Sequence, residues 1–202
     1  MYKFIKFFSY IYLKIFFRFK IYGKENIPTE GKMLLCGNHS SNNDTLMIAM
    51  VTDREIHFMA KEELFNKPVI GWAIKKAHAI LVHRDGNDMV AIRNAIRVLN
   101  NGDILGIFPQ GTRDKGGIHK PGSFKSGVAT ISVKTQSPVV PVYISEEYRL
   151  FRRNSIYVGK PIATWEYAPK KPTQEDYDHI ANDIIRGAVI ELENKWKADN
   201  NK

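Results

Sequence analysis

The chain has 202 residues, enough for one substantial domain with its own core. Lys and Arg outnumber Asp and Glu by 30 to 21, a formal charge of +9, beside an ordinary hydrophobic fraction of 44%. That excess favours an anionic partner (a membrane surface, a phosphorylated molecule or a nucleic acid), with a merely solubilising charge as the plain alternative. The single cysteine, Cys36, excludes an intramolecular disulfide and fits a reducing compartment.

Residues 1–20 interleave aromatic and cationic side chains. The longest stretch without a cation, Phe7 to Leu13, falls far short of the roughly 20 apolar residues a spanning helix needs. No small-residue cleavage site follows, so a signal peptide is not expected. On a helix of about 100° per residue, Lys3, Lys6, Lys14, Arg18 and Lys20 share one side. Phe4, Ile5, Phe8, Ile11, Tyr12, Ile15, Phe16 and Phe19 fill the other. This is the pattern of an amphipathic helix lying in a membrane interface, the alternative being a helix packed on the core. The domain proper is then residues 21–202.

Ile21–Asn26 reads as a short strand or turn. Met33–Cys36 is an apolar run of buried-strand type, and Thr45–Val51 reads as a short helix. Ile56–Ala60 is the next strand and Lys61–Phe65 a helical turn. In Lys67–Ile74, Pro68 and Gly71 argue against a long regular helix. Ala79–Val82 reads as a buried strand ending at Arg84. Asp88 stands as the N-cap of a helix to Asn100 with Met89, Ile92, Ile96 and Leu99 inward. Ile104–Phe108 is another buried strand, a helix opens at Phe124–Ala129, and Ser137–Ile144 is a strand whose prolines, Pro138 and Pro141, suggest an edge or a strand end. After a strand pattern at Ile156–Val158, Thr173–Asp176 has the form of a capping box opening a helix to Trp196, with Tyr177, Ile180, Ile184 and Ala188 inward. Strands alternating with helices predict an α/β fold, a largely parallel central sheet flanked by helices.

Such folds carry their functional loops at the carboxyl ends of strands. One such loop holds His39 and Asp44, five positions apart. A carboxylate on one imidazole nitrogen fixes the tautomer and leaves the other free to take a proton. The bland alternative makes Asp44 an N-cap and His39 an ordinary polar residue. A second loop, Pro109-Gln110-Gly111-Thr112-Arg113-Asp114, offers a glycine, a hydroxyl and a guanidinium, the parts of an oxyanion or phosphate pocket. Lys125 opens the next helix. Cys36 is read as a strand residue, not a nucleophile. The remaining histidines, His57, His78, His83, His119 and His179, lack zinc-site spacing, so no metal is expected.

With these loops in hand, the chain resembles the 1-acylglycerol-3-phosphate (lysophosphatidate) acyltransferase family over roughly residues 20–165. Four motifs stand in the family's order: Asn38-His39-Ser40-Ser41-Asn42-Asn43-Asp44 as His-x4-Asp, Ala79–Arg84, Phe108-Pro109-Gln110-Gly111-Thr112-Arg113, and Val139-Val140-Pro141-Val142. Gln110 replaces the family's usual glutamate: it keeps a hydrogen-bonding carbonyl and loses a charge. The less constant glycine before the second motif is also missing.

The resemblance implies transfer of a fatty acyl group from acyl-CoA or acyl-carrier protein to lysophosphatidic acid, giving phosphatidic acid, with no cofactor. His39 would be the general base and Asp44 its orienter. Arg84, Thr112, Arg113 and Lys125 would hold the acceptor's phosphate, and Gln110 and Gly111 would support the loop or the oxyanion. The expected partners are an anionic membrane surface, the lysophospholipid and the acyl donor, at the cytoplasmic face of the cell membrane, peripheral or monotopic, without nucleic acid. The alternatives are a same-fold acyltransferase acting on glycerol 3-phosphate, another lysophospholipid or an acylated amino acid, a hydrolase, and a non-catalytic membrane-binding module.

Overall fold

The computed structural model describes residues 1–83, 89–146 and 150–200. Seven strands form one sheet: β1 (Lys20–Tyr22), β2 (Met33–Gly37), β3 (Ile56–Lys61), β4 (Ile80–Val82), β5 (Ile104–Ile107), β6 (Val139–Ile144) and β7 (Ser155–Val158). Their order across the sheet is β1-β7-β6-β2-β5-β3-β4. From β6 to β4 every neighbour is parallel; β7 runs antiparallel to β6, and β1 follows β7. The fold is therefore α/β with a mostly parallel sheet, as the alternating pattern predicts.

Strand β2 shows why the apolar runs do not alternate with polar residues. It is buried along its whole length, so both of its faces need apolar side chains. Leu34 and Cys36 meet one layer, formed by α5 (Met89–Asn100), α6 (Gly127–Thr135) and the C-terminal helix. Met33 and Leu35 meet the other, formed by α1 (Tyr2–Phe16) and α2 (Asp44–Ala49) through Leu13, Met47 and Ile48.

Several expectations need correction. Strand β6 lies inside the sheet, between β7 and β2, despite Pro141. Its last pair with β7 is Val142↔Val158. Pro141 stands one step beyond, where only its carbonyl is used, accepting from the Gly159 amide at 2.8 Å. Proline has no N–H to return that bond, so the paired ladder with β7 stops at this position. In α5 the buried stripe is Ala91, Ala95 and Leu99, with Ile92 and Val98 flanking, while Met89 is exposed. Small residues every four positions let α5 lie close to its neighbours. Asp88 and Arg84 lie outside the described residues.

Helices α3 (Glu62–Phe65) and α4 (Pro68–Lys76) follow β3. Pro68 occupies the first turn of α4, where proline fits, and Gly71 allows the tight approach: a Cβ there would sit 2.2 Å from the Phe65 carbonyl.

The capping box at Thr173 is present. The Thr173 hydroxyl accepts from the Asp176 amide, and the Asp176 carboxylate accepts from the Thr173 amide. Helix α7 (Gln174–His179) then passes through a π turn, Ile180–Ile185, into α8 (Arg186–Asn200). The wide turn adds one residue to the repeat. The inward face accordingly shifts by one, from Ile184 and Ala188 to Ile185 and Val189.

Helix α1 ends at Phe16, short of the expected residue 20, and Lys20 already belongs to β1. Its inner side carries Leu13, followed by Phe17 beyond the helix end. The Tyr2 hydroxyl accepts from the Ile56 amide at 3.3 Å, and burial pushes its pKa up to about 12. Lys6, expected among outward cations, instead turns inward to donate to the Thr52 carbonyl. Phe4, Phe7, Phe8 and Ile15 stay exposed.

Cys36 is fully buried, and burial pushes its thiol well above the ordinary range. A water-soluble thiol reagent should leave the native protein unlabelled and react once it is unfolded in denaturant. Rapid labelling of the native form would contradict the sealed packing of β2.

Candidate active site

The site is built where β2 and β5 end side by side, Cys36 opposite Ile107. Gly37 closes β2 because a side chain there would meet Ile48 at 2.9 Å. Asn38, fully buried, then continues the sheet with its side chain. Its carboxamide donates to the Ile144 carbonyl at 2.9 Å and accepts from the Ile144 amide at 2.8 Å. It imitates a peptide group one step past the last β2–β6 pair, Gly37↔Val142.

This anchors His39 at the carboxyl edge. Both of its backbone groups are held by the loop after β5. The His39 amide donates to Gln110 Oε1 at 2.8 Å, and its carbonyl accepts from the Asp114 amide at 2.8 Å. The ring lies on Phe108, centroids 4.2 Å apart and planes 17° apart, and Phe108 in turn stacks towards Phe58 at 6.2 Å. Phe58 needs the absent side chain of Gly106, where a Cβ would come within 2.4 Å of its ring.

Asp44 is fully buried at the first position of α2. The residue in the capping position is Asn43, and its side chain makes no cap bond, so the bland reading of Asp44 as an N-cap does not hold. The carboxylate folds back instead. Oδ2 accepts hydrogen bonds from His39 Nδ1 at 2.8 Å and from the amides of Ser40 at 2.7 Å and Ser41 at 2.8 Å. A carboxylate that only accepts requires Nδ1 to be the protonated nitrogen. Nε2 is then the basic nitrogen, on a side chain 19% exposed.

Gln110 Oε1 holds the His39 amide. The bond it makes is that of a carbonyl oxygen, which a glutamate would make equally. Its Nε2 is buried without a partner among the described residues. Gly111 takes a left-handed φ of 66°, and its amide donates to the Phe108 carbonyl at 3.0 Å. That amide is held within the turn. The Lys125 ammonium passes directly over it, 3.2 Å from where a Cβ would stand. Arg113 reaches back to the His39 loop, donating to Asn42 Oδ1 at 2.6 Å, and Thr112 is exposed between them.

His39, Asp44, Gln110, Gly111, Arg113 and Lys125 thus meet at one edge. Arg84 lies outside the described residues. His83 does not join the site; it pairs with Glu62 at 2.9 Å. Among the described residues no group of three or more His, Cys, Asp and Glu side chains is arranged to hold a metal ion.

Sequence reasoning missed Phe108 as the floor of the imidazole and Glu146 as a tie. Glu146 accepts from the Gly116 amide at 2.6 Å and from Asn38 at 3.4 Å, linking the loop after β5 to the base of the site. The apolar residue at 108 was visible only as a strand end, and nothing in the sequence marks Glu146.

A family model described as Acyltransferase matches residues 18–145. A 1-acyl-sn-glycerol-3-phosphate acyltransferase of Bacillus subtilis is 32% identical over 184 residues, 87% of this chain and 88% of that protein. One of Borreliella burgdorferi is 30% identical over 137 residues, 67% of this chain but 54% of that protein, so the chain matches about half of that relative's length. The crystal structure of the 1-acyl-sn-glycerophosphate (LPA) acyltransferase PlsC from Thermotoga maritima superposes with a TM-score of 0.72 at 27% identity, covering 95% of this chain and 79% of that one.

Replacing Asn38 by Ala would strand the Ile144 amide and carbonyl in the interior, at about 1–3 kcal/mol for each unsatisfied group. Asn38→Ala should therefore lower the midpoint of urea unfolding. An unchanged midpoint would mean that the carboxamide bridge contributes nothing to joining the strand ends.

Proposed function

The chain belongs to the acyltransferase family, and on that premise we propose that it transfers a fatty acyl group from a thioester donor, acyl-CoA or acyl-carrier protein, to the free sn-2 hydroxyl of lysophosphatidate, giving phosphatidate. The observation that carries this reading is the His39–Asp44 pair, with Nδ1 bound to a buried carboxylate and Nε2 left basic at a strand edge.

Nε2 takes the proton of the acceptor hydroxyl as its oxygen attacks the thioester carbonyl carbon and the C=O electron pair moves to oxygen. When that pair returns, the C–S bond breaks and the thiolate leaves, receiving the proton held by the imidazolium. Asp44 keeps the ring in the required tautomer and offsets its positive charge. The Phe108 face beneath the ring holds its tilt. No covalent acyl-enzyme is formed; Cys36 is sealed in the sheet. Arg113 and Lys125 receive the acceptor's phosphate, with Thr112 as a hydroxyl donor. Arg84 joins them on the strength of its motif alone.

The membrane contact is made by the outer side of α1, where Phe4, Phe8 and Ile15 face away from the domain. A helix merely packed on the core would turn these rings inward. No described helix is long and apolar enough to cross a membrane.

With lysophosphatidate and a long-chain acyl-CoA as substrates, His39→Ala should reduce phosphatidate formation by about 10²- to 10⁴-fold, the usual contribution of a positioned base. Gln110→Glu should retain most activity, because a carboxylate oxygen still accepts the His39 amide. Gln110→Ala should lose about a hundredfold by displacing the base. Full activity of His39→Ala would sink the mechanism, and an inactive Gln110→Glu beside an active Gln110→Ala would sink the assigned role of Gln110.

Leu13 and Phe17 belong to the core, so removing α1 would disturb the fold. Surface changes test the membrane contact instead. Phe4→Ser, Phe8→Ser and Ile15→Ser combined should lower turnover on lipid bilayers while sparing it on detergent-dispersed substrate. Equal losses on both would remove the interfacial role.

A further inference from the structure

Helix α1 leaves a groove of about 460 Å³ between itself and the segment that follows it through β1. Three lysines line it: Lys3 and Lys6 from α1, and Lys24 just after β1. The one acidic side chain in the lining is Asp53, which is almost fully exposed and stands 3.6 Å from Lys6. Phe7 and Tyr10 supply an aromatic wall, Tyr10 braced edge-on against Phe19 at 6.0 Å.

The cations are crowded. Burial lowers the Lys6 pKa, Asp53 partly restores it, and the like charge of Lys24 lowers it again. An anion entering the groove would relieve that repulsion. A small soluble anion would use only the lysines. The aromatic wall is continuous with the exposed rings Phe4 and Phe8 on the outer side of α1, so the groove presents charge and apolar surface together on the side read above as membrane-facing.

We propose that this groove binds the headgroup of one anionic phospholipid, its phosphate among Lys3, Lys6 and Lys24 and its first acyl carbons along Phe7 and Tyr10. The position separates it from the candidate active site. Lys24 and Asp53 lie at the amino-terminal edge of the parallel strands, where β3 begins at Ile56, whereas His39 lies at their carboxyl edge. Helix α1, about 22 Å long, runs between the two edges. Tyr2 is fastened at Ile56, and the Phe17 carbonyl accepts from the Asn154 amide at 3.3 Å at the start of β7. A lipid held at one end of the helix would orient the catalytic edge at the other. The proposal rests on the membrane-facing reading of α1, but its test involves no acyl transfer.

The test uses the full-length ¹⁵N-labelled protein with monomeric dihexanoyl phosphatidylglycerol, which is neither acceptor nor product of the proposed reaction. Dihexanoyl phosphatidylcholine and inorganic phosphate serve as comparisons. Phosphatidylglycerol should shift the amide signals of Tyr10, Ile21 and Lys24 saturably. Lys3→Glu with Lys24→Glu, both at exposed positions, should weaken binding by about fivefold for each lysine or more while leaving the rest of the spectrum in place. His39→Ala should bind as the unmodified protein does. Equal affinity for phosphatidylcholine, equal affinity for inorganic phosphate, an unaffected double variant, or shifts confined to residues 38–44 and 108–125 would each overturn the assignment.

Discussion

The arrangement of the candidate active site depends on one buried carboxylate. Asp44 has no exposure to solvent, and an ionised carboxyl is costly to bury unless its lone pairs are filled. Three local donors converge on Oδ2, the His39 ring and the amides of Ser40 and Ser41. The consequence runs in both directions. The loop 39–44 closes because the carboxylate needs those donors, and the imidazole is fixed because the loop closes around it. Ring orientation and local folding therefore share the same bonds, and the charge that orients the imidazole is also what shapes the turn.

That loop would still drift without its second hold. The backbone of His39 is pinned on one side by Gln110 and on the other by Asp114, and both lie after β5. The pinning works because β2 and β5 are neighbours in register and end together. The parallel sheet is thus a means of bringing two loops distant in sequence to within hydrogen-bond reach. The stack Phe58–Phe108–His39 adds a third support, and it exists only because Gly106 leaves room for the Phe58 ring. A glycine two residues before Phe108 in β5 so bears on the tilt of the imidazole.

These dependences explain what could be read in advance. The buried strands were legible because a strand covered on both faces must be apolar throughout, as β2 and β5 are. The His39–Asp44 pair was legible because both partners lie within one short loop. The central place of β6 was not: Pro141 argues for an edge unless one knows that β7 has already ended beside it. The inward face of the closing helix was displaced by one residue because a π turn leaves no clear mark in the hydrophobic period. Glu146 was invisible for a different reason. Its partners, Gly116 and Asn38, are far away in sequence, and only the folded loop brings them to it.

Helix α1 shows how one apolar pattern serves two demands. Leu13 seals the core together with Phe17, while the larger aromatic side points away, so the bulk of the helix's apolar surface is not what holds it to the domain. Its attachment rests on a narrow stripe, including a lysine whose ammonium finds a backbone carbonyl at Thr52. Lysine tolerates this position because its alkyl stem packs while its head reaches a polar partner. The arrangement also separates two properties that a simple amphipathic helix would couple. Changes on the inner stripe act on folding, and changes on the outer side act on what the helix meets outside the domain. A chain with a +9 charge could attract an anionic surface from any direction. The exposed aromatic side of α1 is by contrast confined to one face of the sheet, so apolar exposure has a direction that net charge does not.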